Sequence, residues 1–222
     1  MADTALRAIL FDMDGVLVDS IPSIHASTNY ALLAMGREPV ARENFLHLVG
    51  PPLELAGAEL LGSEEPEQIA AFVAHYREHY TETCASATLP AEGLLEVLAE
   101  LEARCPLAVA TSKPEAFARP ILQTLGAAPY FRAICGRSLE LDRATKAQSV
   151  KRALDAVANG DPSGVLMIGD RSHDVHGAAE HGVPTVGVLH GAGSEEELRE
   201  AGARWIVDDL RGVRELIAGM QA

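Results

Sequence analysis

Six short, mainly apolar runs recur along the chain: LRAILF (6–11), PLAVAT (106–111), RAIC (132–135), GVLMIG (164–169), PTVGVL (184–189) and ARWIV (203–207). Helix-period segments lie between most of them. A strand with one wet face alternates apolar and polar residues, whereas a strand covered on both faces is apolar throughout. The pattern therefore predicts βαβ units, and an α/β fold built on a doubly wound parallel sheet, Rossmann-like in its core. Thr145 and Gln148 have the spacing of a capping box that opens a helix, and so do Ser194 and Glu197. Gly126 and Gly182 stand where helices should end. The acids Glu195 to Glu197 read as ordinary negative charge in a first helical turn.

Residues 20–85 break the alternation. They carry helix signals, including a stripe of Ile69, Phe72, Val73, Tyr76 and Tyr80, and no convincing strand. This predicts an all-helical domain over 19–86, inserted into a core made of 1–18 and 87–222. His75 and His79, four apart, read as a solvated helix face.

Charge and composition exclude several roles. The 222 residues carry a net charge of -14, opposite to the basic surface that nucleic acid requires, and unsuited to an anionic membrane. No run is long enough to span a bilayer, and the first ten residues lack the basic and apolar regions of a signal peptide. Cys84, Cys105 and Cys135 are odd in number and far apart, which fits a reducing cytoplasm rather than a disulfide framework.

The expected strand ends concentrate the chemistry. The first leads into Asp12 and Asp14, the second into Thr111, Ser112 and Lys113, and GVLMIG into Asp170 with Asp174 four residues on. Lys146 falls at the first position of a helix, where a cation opposes the helix dipole unless an anion sits there too. The chain has three lysines, Lys113, Lys146 and Lys151, against fifteen arginines, so each lysine position carries weight. Acids this close repel unless a cation joins them. A hard divalent ion such as Mg2+, which takes few carboxylates plus water and phosphate oxygens, fits that need.

DMDGVLVDS (12–20), VATSKP (109–114), Lys146 and MIGDRSHDVHGAAEHG (167–182) resemble, in order, the four motifs of the haloacid dehalogenase superfamily. GPPL (50–53), GDRSHD (169–174) and GVLHGAGSEEELREAGA (187–203) resemble more narrowly its phosphoglycolate-phosphatase-like members, some relatives of which are named 5′-nucleotidases. The resemblance implies a Mg2+-dependent phosphatase acting on a small phosphomonoester. Asp12 would be the nucleophile and form an aspartyl-phosphate, and Asp14 the general acid and base. Thr111, Ser112 and Lys146 would hold the phosphoryl oxygens. Asp12, Asp170 and the backbone carbonyl of Asp14 would hold the metal, with Asp174 orienting a metal-bound water or Lys146.

The helical insertion would be a cap that excludes water. Arg42, His47 and Asn29 are candidate readers of the substrate, and Asp19 a cap or hinge residue at the entry to the insertion. A phosphosugar mutase or a 5′-nucleotidase on the same scaffold are the alternatives. Asp14 argues against a dehalogenase, which needs no acid there. Intact Asp12, Asp14, Lys146 and Asp170 argue against a non-catalytic binding module.

Overall fold

The apolar run after Arg7 becomes β1 (Ala8–Phe11), four residues buried without exception. The computed structural model describes residues 5–49, 52–137 and 145–220. Within them the other strands are β2 (Val18–Asp19), β3 (Leu89–Pro90), β4 (Leu107–Pro114), β5 (Phe131–Arg137), β6 (Val165–Gly169), β7 (Thr185–Val188) and β8 (Trp205–Val207). The helices are α1 (Ile21–Ala34), α2 (Leu53–Leu61), α3 (Pro66–Ala87), α4 (Leu94–Glu102), α5 (Glu115–Thr124), α6 (Lys146–Ala158), α7 (Ser172–Ala179), α8 (Glu195–Ala201) and α9 (Leu210–Gly219).

Six strands form one parallel sheet in the order β5-β4-β1-β6-β7-β8. Counted along the chain, these six read 3-2-1-4-5-6, the doubly wound order. The order reverses around β1, whose neighbours are β4 and β6. Such a reversal opens a crevice beyond the carboxyl ends of the strands, where ligands of open α/β sheets bind. β2 and β3 form a separate two-stranded sheet.

Alternate residues of the central strands serve opposite faces. Ala8, Leu10, Ala108, Ala110, Val165 and Met167 pack with Val150, Ala153 and Leu154 of α6 in one buried cluster. Ile9, Phe11, Leu107 and Val109, one step out of phase, are equally buried. Both faces are covered, which is the physical reason for the continuous apolar runs. The Thr145–Gln148 capping box forms as expected at the start of α6. At α8 only half of the expected box forms: the Ser194 hydroxyl accepts from the Glu197 N–H, but the Glu197 side chain is engaged elsewhere.

The chain divides into two compact units, residues 1–19 with 90–222, and residues 20–89. The second unit holds α1, α2 and α3. Phe72, Val73, Tyr76, Tyr80 and Cys84 form the buried stripe of α3, while Ile69 stays half-buried. His79 does not face solvent as the four-residue spacing suggested. Its ring stacks on Tyr30 at 4.7 Å, and its Nδ1 lies 2.9 Å from the Ser27 hydroxyl. Asn29 clamps Val40, accepting its N–H at 2.8 Å and donating to its carbonyl at 3.2 Å. His47 pairs with Glu59 at 2.6 Å on the surface, and Arg42 is exposed. Of the GPPL turn, Gly50 and Pro51 lie outside the described residues; Pro52 is the N-cap of α2. The N-cap of α1 is Ser20, so Asp19, in β2, does not fill that position.

Candidate active site

Asp12 directly follows β1, and its N–H donates to the Ile168 carbonyl of β6 at 2.8 Å. The sheet ladder therefore carries it to the reversal point, with Asp170 following β6 on one side and Thr111 in β4 on the other. The chain then turns sharply. The Leu17 and Val18 N–H groups both return to the Met13 carbonyl, at 2.9 and 3.0 Å, and Met13, Val16, Leu17 and Val18 are buried beneath the turn.

Gly15, at φ +80°, is required here for a second reason: a Cβ on it would collide with the Asp170 carboxylate. A Cβ on Gly191 would collide with the same carboxylate from the loop after β7. Two glycines thus let backbone close around one acid, and the N–H of Ala192, next to Gly191, donates to Asp170 Oδ2 at 2.7 Å.

The two acids of DMD lie in different surroundings. Asp12 is 5% exposed, and Lys146 Nζ stands 2.6 Å from its Oδ1. The same ammonium is 2.6 Å from Asp174 Oδ1. Lys146 is the first residue of α6, and the Ser149 hydroxyl one turn later donates to the Thr111 carbonyl at 2.9 Å, docking that helix end on β4. The cation at a helix start is thereby explained: two carboxylates outweigh the dipole.

Asp14 is instead part-exposed and gripped at both oxygens by Lys113 Nζ, at 2.9 and 3.0 Å. Two of the chain's three lysines therefore serve these two acids, and Lys151 pairs with Asp155 on the surface. The Lys113–Asp14 pair is a contact that sequence reasoning missed, although the rarity of lysine pointed to the position. Asp174 completes the frame, its Oδ2 accepting the N–H groups of Asp170 and Arg171 at 3.0 and 3.1 Å. Thr111 is buried and its hydroxyl accepts the Lys113 N–H at 3.1 Å, whereas Ser112 is exposed.

The charges do not balance. Asp12, Asp170 and Asp174 are at most 5% exposed and Lys146 is 7% exposed, so three buried carboxylates face one buried ammonium. Burial, opposed by Lys146 and reinforced by Asp174 and Asp14, holds Asp12 above its ordinary range. Burial together with the Asp12 and Asp174 charges pushes Asp170 up to about 7. Burial alone would lower Lys146, but Asp12 and Asp174 keep it above its ordinary value. Asp170 Oδ1 is buried with no hydrogen-bond partner. A buried anionic oxygen without a donor, in a pocket short of positive charge, fits a divalent cation with oxygen ligands.

Ligand atoms of Asp12, His173 and Asp174 also lie within 4.8 Å of one another, with His173 Nε2 3.5 Å from Asp174 Oδ1. His75 and His79 belong to no such group among the described residues.

The chain is also similar to known proteins over most of its length. The haloacid dehalogenase-like hydrolase family matches residues 9–188. The chain is 37% identical to a 5′-nucleotidase of Pseudomonas aeruginosa, over 98% of this chain and 99% of that one. It is 36% identical to the tyrosine-protein kinase PtkA of Mycobacterium tuberculosis, over 92% of this chain and 71% of that one. With a phosphoglycolate phosphatase of Agrobacterium fabrum the identity is 33%, over 82% and 80%. Among solved structures, a haloacid dehalogenase-like family hydrolase of Streptococcus pneumoniae superposes over the whole of both chains with a TM-score of 0.84 at 28% identity. With its acids gathered at the reversal of a parallel sheet and the family match running over most of its length, this chain belongs to the haloacid dehalogenase-like hydrolases, as a phosphoric monoester hydrolase of that family.

Proposed function

We propose that the chain is a Mg2+-dependent phosphatase that hydrolyses a small, phosphoglycolate-like phosphomonoester through an aspartyl-phosphate on Asp12. The observation that carries this reading is the division of labour between two acids one residue apart. Asp12 is buried against an ammonium, where a carboxylate can be aimed at an electrophile. Asp14 is part-exposed and held by a different ammonium, that of Lys113, and to it we assign the proton transfers. In the first step an Asp12 oxygen bonds to phosphorus as the phosphorus–oxygen bond to the alcohol breaks, and Asp14 gives the leaving oxygen its proton. In the second, Asp14 takes a proton from water as the water oxygen bonds to phosphorus and the phosphorus–oxygen bond to Asp12 breaks, releasing phosphate and restoring the Asp12 carboxylate.

Lys146 and Thr111, with Ser112, hold the phosphoryl oxygens, and Asp174 holds Lys146 in place. Asp12, Asp170 and the Asp14 carbonyl would hold the Mg2+, which supplies positive charge to the phosphoryl oxygens. The helical unit is proposed as the cap that selects the organic part of the substrate. Three buried free cysteines suit a reducing, cytoplasmic setting. Among the described residues no helix is long and apolar enough to cross a membrane.

The relative named 5′-nucleotidase places nucleoside 5′-monophosphates beside phosphoglycolate in a first panel of substrates. A mutase must grip a second phosphate, and cations for that are scarce in the helical unit. It has no lysine, and Arg37, Arg42 and Arg77 are all exposed, with Arg77 turned to Glu54. Hydrolysis without a bisphosphate activator is therefore expected. In water labelled with oxygen-18, each released phosphate should carry one labelled oxygen. Isomerised sugar phosphate far exceeding labelled phosphate would replace this reading with the mutase, and transfer to an added acceptor in place of water would replace it with a kinase.

Chelation of divalent ions should abolish turnover, and Mg2+ should restore it. Full activity after exhaustive chelation would remove the metal from the scheme.

A further inference from the structure

The acid at position 197 looks like ordinary first-turn charge in the sequence, yet it is one of the most heavily bonded carboxylates in the fold. Its Oε1 accepts the Ser172 N–H at 2.8 Å, the Ser172 hydroxyl at 2.8 Å and the Arg171 Nε–H at 2.9 Å. Its Oε2 shares the Arg171 Nε–H at 3.2 Å. The neighbours Glu195 and Glu196 do not take part: Glu195 pairs with Arg199 one turn on, and Glu196 is exposed. These bonds, against the opposing effect of burial, hold Glu197 down at about 2.

What Glu197 grips is the segment that presents the central acids. Arg171 and Ser172 lie between Asp170 and Asp174, and the Arg171 N–H is itself bound by Asp174 Oδ2. The short chain leading to Glu197 meets Asp170 from another side. Ala192 N–H donates to the Asp170 carboxylate, and Gly193 lies so close to the Asp170 carbonyl that a Cβ there would collide with it. Residues 191–197 therefore lie close against the Asp170 carbonyl, hold its carboxylate, and hold the two residues that follow it. Only the last of these grips is made by a side chain, and that side chain is Glu197.

We propose that Glu197 is a positioning residue for the metal site: it fixes the Arg171–Ser172 segment, and so the aim of the unpartnered Asp170 Oδ1. The inference rests on the reading of Asp170 as a metal ligand. Groups that orient metal ligands from behind typically change affinity by about tenfold or more when removed.

The test is calorimetric titration of Mg2+ into the purified protein and its variants. Glu197→Ala should bind Mg2+ about tenfold more weakly. Glu197→Gln keeps an oxygen for Ser172 but loses the charge-assisted bond to Arg171, and should bind roughly threefold more weakly. Glu196→Ala should bind as the wild type does. At saturating Mg2+ the Glu197 variants should recover turnover with an unchanged substrate KM, which a collapsed site would not do. A folded Glu197→Ala with wild-type affinity overturns the inference. If that variant does not fold, unchanged affinity in Glu197→Gln overturns it equally. Asp170→Asn separates the two readings. Weakened binding there with intact binding in both Glu197 variants defeats the positioning role alone. Wild-type binding in Asp170→Asn defeats the metal assignment and the positioning role with it.

Discussion

Asp12→Asn is expected to fold and to release no phosphate, with a fall in turnover of roughly four orders of magnitude or more, as loss of a covalent nucleophile produces. An amide has the shape of the carboxylate but cannot form the acyl phosphate. No phosphorylated protein should be found by mass spectrometry after rapid quenching, whereas the wild type should show a transient adduct. The fold should tolerate the change well. Burial already holds Asp12 above its ordinary range, and the substitution relieves a site in which three buried acids face one lysine. Lys146 keeps Asp174 as its partner at 2.6 Å. Turnover near the wild-type rate in this variant would remove Asp12 from the nucleophilic role.

Lys146→Met should lose both activity and stability. The ammonium is the shared partner of Asp12 and Asp174, which are 5% and 0% exposed. Removing one member of a buried ion pair typically costs about 3–5 kcal/mol, because a charge is left without compensation. Urea unfolding at neutral pH should report a loss of this size.

The loss should depend on pH in a defined direction. Asp12 in the fold sits above its ordinary value of 3.8, and further above it without the lysine. The unfolded chain therefore gives up its proton first as pH rises, and the penalty grows above about pH 4. Below that it fades, since a protonated carboxyl needs no ammonium. Adding Asp174→Asn to Lys146→Met should restore part of the stability and none of the activity, a coupling that a double-mutant cycle measures. Equal stability of Lys146→Met and wild type at neutral pH would show that the triad is not charged as described.

The sheet was legible because a doubly covered parallel strand must be apolar at every position, a property of the strand itself. All six apolar runs became strands of one sheet. The strand-end acids were legible for a related reason. A charge that ends a buried strand must find compensation, so Asp12 and Asp170 drew attention without any knowledge of their neighbours. Lys146 was legible from its conflict with the helix dipole at a position set by the Thr145–Gln148 box.

Partner choice was not legible, because it depends on contacts between residues far apart in the chain. Sequence spacing makes Asp12 and Asp14 near twins, and only the turn closed on the Met13 carbonyl sends one to Lys146 and the other to Lys113, 99 residues away. Glu197 and its neighbours are indistinguishable as first-turn acids, until packing brings one of them to Arg171 and Ser172. His79 has the spacing of a surface residue, and the packing of α1 on α3 turns its ring onto Tyr30. Local patterning, set by solvent exposure along each element, determined the sheet, the helices and which residues carry chemistry. The pairing of those residues was decided by tertiary structure alone, because the energy of a buried charge depends on what lies within a few ångströms in space, and chain separation does not encode that distance.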